Sequence, residues 1–151
     1  GGDESITTVD NSGSVGLHVS LALDASGNPV ISYLRLDNKS LQVAHCNDSN
    51  CAGGDESVVT ADNSGSVGYY TSLVLDAFGN PVISHYDLAN FVLKITHCND
   101  PNCAGGGENT RVMDDSSIDV GSFTSLVLNA AGNPVVAYHD SDNETRKVAS
   151  I

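Results

Sequence analysis

The sequence has no tryptophan and few other aromatic residues, with only five tyrosines and three phenylalanines among 151 residues. Hydrophobic residues still make up 40% of the chain, so a packed core is expected. That core must be built from valine, isoleucine, leucine and alanine. The length suits one domain of ordinary size.

Basic residues are scarce as well. Six lysines and arginines stand against 19 aspartates and glutamates, which gives a formal net charge of −13. Nucleic acids and anionic membranes are bound through basic patches, so we expect neither as a partner. No apolar run is long enough to cross a bilayer, and we expect no membrane insertion.

Familiar catalytic motifs are missing too. The sequence contains no nucleophile elbow, no phosphate-binding glycine loop and no His-Glu-x-x-His. We therefore expect a protein that is not an enzyme, has no catalytic residues and needs no cofactor.

One pattern occurs three times, in residues 19–32, 71–84 and 124–137. Each copy is an apolar segment, a turn of the type Asp-Ala-x-Gly-Asn, and a second apolar segment that begins with Pro-Val. The three prolines, Pro29, Pro81 and Pro134, are spaced 52 and 53 residues apart. This period predicts one domain of three repeats, 1–52, 53–104 and 105–151, with Gly105 as the extra residue.

Each period contains four strand signals. In the second repeat they are residues 57–61, 71–75, 81–86 and 91–97, separated by segments rich in Asp, Asn, Ser and Gly. Gly79 stands where the turn needs a positive φ, and Asp76 can accept hydrogen bonds from the turn backbone. No segment has a helical period, so the fold is expected to be all-β.

The repeated Ser-Leu-x-Leu-Asp-Ala-x-Gly-Asn-Pro-Val-Ile-Ser resembles the inner hairpin of bacterial secreted β-propeller repeats, which include sialidase-like and lectin-like propellers. The resemblance covers nearly the whole chain. It implies three four-stranded antiparallel blades of about 52 residues. It implies little about function, because propellers carry many unrelated activities.

The phase of the repeats suggests how such blades associate. Ser5–Val9 is equivalent to residues 57–61, and Arg146–Ile151 is equivalent to residues 93–98. The N-terminal segment can therefore supply the strand that the last blade lacks. Three blades are too few for a ring, so we expect self-association of chains, either as a closed oligomer or as an open filament. A third alternative is that the sequence is a segment of a longer array.

The four cysteines lie in two matching segments, His-Cys-Asn-Asp-x-Asn-Cys. We expect the disulfides Cys46–Cys51 and Cys98–Cys103, and hence an extracellular location, secreted or at the cell surface. The alternative is a zinc site that uses the adjacent His45 and His97. It is disfavoured because neighbouring residues of a strand point in opposite directions.

Each repeat also has two positions that carry an aromatic or imidazole ring. The favoured interpretation is that the rings fill space between blades. The alternative is a set of shallow platforms that stack on sugar rings, so that repetition gives avidity. The candidate ligand-binding residues are His18, Tyr70 and Phe123 before the second strand, and Tyr33, His85 and Tyr138 on the third.

Two groups of polar side chains could carry chemistry. Asp24, Asp76 and Asn129 share one turn position, where turn capping is favoured over calcium binding. A second group consists of loop acids that could pair as in glycosidases: Asp114, Asp115, Asp119, Asp140 and Asp142.

A sialidase-like site would also need clustered arginines, and Arg35, Arg111 and Arg146 do not occupy equivalent positions. The sequence thus predicts an extracellular, non-enzymatic module for structural assembly or binding. The alternatives are a multivalent lectin and a glycosidase-like propeller.

Overall fold

A computed structural model describes residues 2–151. This part of the chain is all-β, as predicted, and contains eleven strands and no helix. It accordingly has no helix that could cross a membrane. The strands are β1 (Leu17–Leu23), β2 (Pro29–Arg35), β3 (Ser40–His45), β4 (Ser57–Asp62), β5 (Tyr69–Leu75), β6 (Pro81–Asp87), β7 (Val92–His97), β8 (Asn109–Asp114), β9 (Val120–Leu128), β10 (Pro134–Asp140) and β11 (Thr145–Ser150).

The strands form three antiparallel sheets. Sheet 1 has the order β1-β2-β3-β4, sheet 2 has β5-β6-β7-β8, and sheet 3 has β9-β10-β11. The fourth strand of sheets 1 and 2 comes from the beginning of the following sequence repeat. The prediction of antiparallel sheets is confirmed: sheets 1 and 2 have four strands each, and sheet 3 has three, so that it lacks a fourth strand within residues 2–151, as the phase of the repeats predicts. Ser5–Val9 forms no strand within the chain.

The hairpins form where the sequence predicts them. The Asp76 carboxylate accepts hydrogen bonds from the backbone N–H groups of Phe78 and Asn80, at 2.8 and 2.9 Å, and closes the turn between β5 and β6. Gly79 has a φ of 82° in this turn, a value that glycine adopts without strain. Pro81 begins β6, where its missing N–H removes least from the sheet.

The extra residue of the third repeat is not Gly105. Leu93 pairs with Asp114 in sheet 2 as Leu41 pairs with Asp62 in sheet 1, so the spacing of 52 residues still holds at Asp114. The insertion therefore lies in the loop between β8 and β9. A loop accepts an added residue, whereas an addition within a strand would change the pairing register.

The core lies between consecutive sheets. One cluster joins sheet 1 to sheet 2, where Leu41 and Val43 pack with Leu73 and Ile83. The second joins sheet 2 to sheet 3, where Leu93 packs with neighbours that include Leu126. Sheet 2 thus buries one face against sheet 1 and the other against sheet 3.

Candidate functional site

The turn acids act as caps. Asp24 Oδ1 accepts hydrogen bonds from the N–H groups of Ser26 and Asn28, and Asn129 Oδ1 bonds its turn in the same way. Within residues 2–151, no three His, Cys, Asp or Glu side chains gather as metal ligands. Turn capping therefore accounts for this position in all three repeats.

Both predicted disulfides form, Cys46–Cys51 and Cys98–Cys103. The adjacent histidine instead bonds the turn of its own sheet, with His45 Nε2 lying 3.1 Å from Asp24 Oδ2. All four sulfurs are held in disulfides, which leaves no thiolate for a zinc site.

The rings on the third predicted strand, now the second strand of each sheet, are buried. Tyr33 and Tyr138 are each 4% exposed and donate their hydroxyls to Asp10 and Asp114, at 2.7 and 2.6 Å. Burial, and then the bond to the neighbouring carboxylate, raise the pKa of both phenols. These rings are largely enclosed by their surroundings, although Tyr33 also lines a groove at sheet 1 that is described below.

His85 occupies the equivalent position in sheet 2 and is fully buried. Its Nε2 lies 3.0 Å from Thr96 Oγ1 and 3.8 Å from Asp62 Oδ2. Its Nδ1 has no hydrogen-bond partner among the described residues. Burial is the main cause that lowers the pKa of His85 to about 4, so the imidazole is neutral at neutral pH.

The other three rings form a row across β1, β5 and β9, the first strand of each sheet. The centroids of His18 and Tyr70 are 4.5 Å apart, and those of Tyr70 and Phe123 are 4.4 Å apart. Phe123 is 66% exposed, while the other two rings are partly buried. We call His18, Tyr70 and Phe123 the aromatic row. It is the part of the predicted ligand-binding set that the fold brings together on one surface.

The backbone of the aromatic row has an unusual conformation. His18, Tyr70 and Phe123 have φ values of 53°, 52° and 53°, and the strand register shifts beside each residue. Positive φ is costly for a bulky side chain. The repeated conformation is held partly by the hydroxyls of Thr71 and Thr124, which donate to the carbonyls of His18 and Tyr70 at 2.6 and 2.7 Å.

Four of the five loop acids proposed for glycoside hydrolysis are engaged in structural bonds, among them Asp114, which accepts the hydroxyl of Tyr138. Asp140 Oδ2 lies 2.7 Å from Lys147 Nζ, and Asp119 accepts the hydroxyl of Tyr86 at 2.7 Å. Asp142 accepts the N–H of Ile118 at 2.8 Å. The contacts of Asp119 and Asp142 hold the β8–β9 loop against sheets 2 and 3, whereas that of Asp140 joins β10 to β11.

A different surface lies at sheet 3. β3 and β7 are almost wholly buried, because a fourth strand covers their outer edge and the following sheet packs on one face. No strand of residues 2–151 pairs with the outer edge of β11, and Val148 is 68% exposed. The equivalent side chains in sheets 1 and 2, Val43 and Ile95, are 0% and 2% exposed.

The opposite end of the stack exposes the outer face of sheet 1. Leu21 is 55% exposed, whereas the equivalent Leu73 and Leu126 are 5% and 4% exposed. Beside it lies a groove of about 320 Å³, which we call the sheet 1 groove. Its lining includes Val9, Asp10, Val15, Gly16, Val19 and Ile31.

Sequence reasoning missed four residues of these end surfaces: Asp10, Val19, Ala137 and Arg146. The signal that identifies them is the departure of a residue from its column when the repeats are aligned. Arg146, for example, stands in the column that holds the buried Leu41 and Leu93.

The chain matches no protein-family model and no curated protein. The candidate sites therefore stand on the geometry described above.

Proposed function

We propose that this protein is a non-enzymatic extracellular module that assembles with copies of itself through strand complementation. Ser5–Val9 of one chain adds to β11 of the next and becomes the fourth strand of its sheet 3. The observation that carries the proposal is the unpaired outer edge of β11, together with a donor segment near the other end of the chain that is equivalent to β4 and β8.

The position of the donor segment supports this assembly. The loop that follows it is bound to sheet 1, since the N–H of Leu36 donates to the carbonyl of Ser14 at 2.8 Å. The same bond joins Leu88 to Ser66 at the loop after β4. Ser5–Val9 therefore has the same position relative to the loop that follows it as β4 has relative to its own loop. Ile6, within this segment, is 96% exposed.

An unpaired strand edge with apolar side chains favours association, because pairing satisfies backbone groups and buries apolar area together. The two disulfides fit an oxidising compartment, where such a module would be secreted or displayed on the cell surface.

The assembly is tested by light scattering and negative-stain microscopy at micromolar concentration. We expect particles larger than one chain, either closed or filamentous. A donor-segment variant, Ile6→Pro with Thr7→Pro, should weaken association by at least about tenfold, because proline removes pairing N–H groups.

The matched control places the same prolines at Asp3 and Glu4, outside the donor segment. A wild-type chain that stays monomeric at micromolar concentration would contradict the proposal. Equal association of the two proline variants would exclude Ser5–Val9 as the donor.

We propose carbohydrate binding at the aromatic row as a second candidate function. Three rings in sequence, with centroids 4.4 to 4.5 Å apart, offer a continuous apolar surface on which the C–H faces of sugar rings can stack. A glycan array tests it. Binding should be lost in Tyr70→Ala and kept in Phe78→Ala, which removes an exposed ring at a distant turn. An array without signal for the wild type would exclude this function.

A further inference from the structure

The two junctions inside the chain use the same contacts at equivalent positions. Where sheet 1 meets sheet 2, Ser32 Oγ donates to Thr71 Oγ1 at 3.0 Å. Where sheet 2 meets sheet 3, Ser84 Oγ donates to Thr124 Oγ1 at 2.8 Å. A serine from one sheet and a threonine from the next therefore form a paired contact within each junction.

Both hydroxyls of this pair are missing from the outer ends of the stack. Val19 on sheet 1 stands in the threonine column, and Ala137 on sheet 3 stands in the serine column. Both residues are exposed, Val19 by 56%. Losing one hydroxyl of a buried pair leaves a polar group unsatisfied, whereas losing both leaves an apolar contact. If residues 19 and 137 are in contact with each other in an assembly, we expect both hydroxyls to be replaced together.

A second joint change involves charge. Leu41 and Leu93, both 0% exposed, lie opposite Asp62 and Asp114 in the third and fourth strands of their sheets. The same column in β11 holds Arg146, which is exposed.

The residue that would lie opposite Arg146 is Asp10, the equivalent of Asp62 and Asp114. Asp10 lines the sheet 1 groove. An apolar groove with one carboxylate suits an arginine, whose stem is apolar and whose guanidinium pairs with an acid.

Another contact of the internal junctions could also form between two copies, because the residues that make it are present at both outer ends of the stack of sheets. The N–H groups of Leu73 and Leu126 each donate to a serine Oγ of the preceding sheet at 3.0 Å. Leu21 and Ser125 occupy those columns at the two ends of the stack.

We infer that sheet 3 of one copy packs on sheet 1 of a second copy in the register of the internal junctions. In this junction Val19 meets Ala137, and Arg146 enters the sheet 1 groove and pairs with Asp10. The inference rests on the proposed self-assembly and adds its surfaces, direction and register.

A cysteine pair tests the register. Val19→Cys with Ala137→Cys should give covalent dimers and larger species on a non-reducing gel, all lost on reduction. The matched control, Ser32→Cys with Thr71→Cys, places cysteines at an internal junction and should close within one chain. If the control closes and the first pair stays reduced, the register is wrong.

Light scattering on the same samples tests self-assembly separately from the register of the junction. Particles that persist without cross-linking would overturn the register and leave self-assembly standing. Monomers throughout would overturn both.

A charge exchange tests the ion pair independently. Arg146→Glu should raise the dissociation constant by about tenfold or more, since it places a glutamate opposite Asp10. Adding Asp10→Lys should restore most of the affinity. The control Lys39→Glu makes the same charge change at a turn position where the third repeat already has Glu144. Unchanged association of Arg146→Glu would exclude the pair.

Discussion

His97 Nε2 lies 2.9 Å from Asp76 Oδ2, and this contact ties the end of β7 to the turn between β5 and β6. Sheet 1 has the same pair, His45 and Asp24. In sheet 3 the aspartate becomes Asn129 and the histidine becomes Ser150. The two residues change together, which fits a partnership between the third strand and the turn of each sheet.

Because of the turn carboxylates, the folding stability of the protein should decrease at acid pH. The N–H of Asn28 and then the imidazole of His45 lower the pKa of Asp24 to about 2. An unfolded aspartate titrates near about 3.9. The contribution of Asp24 is therefore complete above about pH 4 and is lost as the pH falls towards about 2.

We expect the urea midpoint to fall over this pH range, and to fall less steeply in Asp24→Asn, because the amide still caps the turn as Asn129 does. The control is Asp3→Asn in the exposed N-terminal segment. The same pH slope in wild type and Asp24→Asn would contradict the assignment.

His85 should be replaceable by tyrosine with a gain in stability. Tyr33 and Tyr138 occupy the same column and donate to Asp10 and Asp114, so a tyrosine here can donate to Asp62. The Asp62 Oδ2 atom has no hydrogen-bond partner among the described residues. We expect His85→Tyr to raise the free energy of unfolding by about 1 kcal/mol, the usual contribution of a buried hydrogen bond.

The pH dependence provides a second measurement of His85. Because its folded pKa of about 4 lies below the unfolded value of about 6.5, its contribution is complete above pH 6.5 and is lost as the pH falls to about 4. His85→Tyr should remove that part of the stability profile. A profile unchanged between pH 6.5 and 4 would show that His85 is not the responsible group.

The two disulfides should contribute different amounts to the free energy of unfolding. Each closes a short loop, and replacing either pair by alanine should cost about 2 kcal/mol from chain entropy. Cys98 and Cys103 also belong to the cluster that joins sheets 1 and 2. Their loss should cost about 1 kcal/mol more, from lost packing contacts between the two sheets. Urea unfolding of the two double variants checks the order, and equal midpoints would contradict it.

The local elements of this fold could be predicted from the sequence because turn residues such as Gly79 and Asp76 act on their own neighbours. The disulfides could be predicted for the same reason. The assignment of β4 to sheet 1 could be predicted only from the phase of the repeats, since that pairing is made between different repeats. The repeat period also cannot predict which of the two ring-bearing positions in each repeat is buried. Tyr33 and His18 both recur with the repeat, yet only the packing of the sheets places Tyr33 inside.

Glycine substitutions separate contacts inside the chain from contacts between chains. Gly121 has a φ of 111°, and a Cβ there would lie 2.6 Å from the Cα of Leu93. Gly121→Ala should therefore disrupt the packing of sheet 2 on sheet 3. Gly16 is its equivalent in sheet 1, with a φ of 84°, but a Cβ there meets no atom of the described chain within 4 Å.

Gly16→Ala should cost only about 1 kcal/mol of folding stability, the usual strain of alanine at positive φ. Its larger effect should be on association, because Arg146 of the second copy would approach Gly16 as Leu93 approaches Gly121. Urea unfolding and sedimentation velocity measure the two effects separately. If Gly16→Ala associates as the wild type does, sheet 3 of a second copy does not pack this closely on sheet 1.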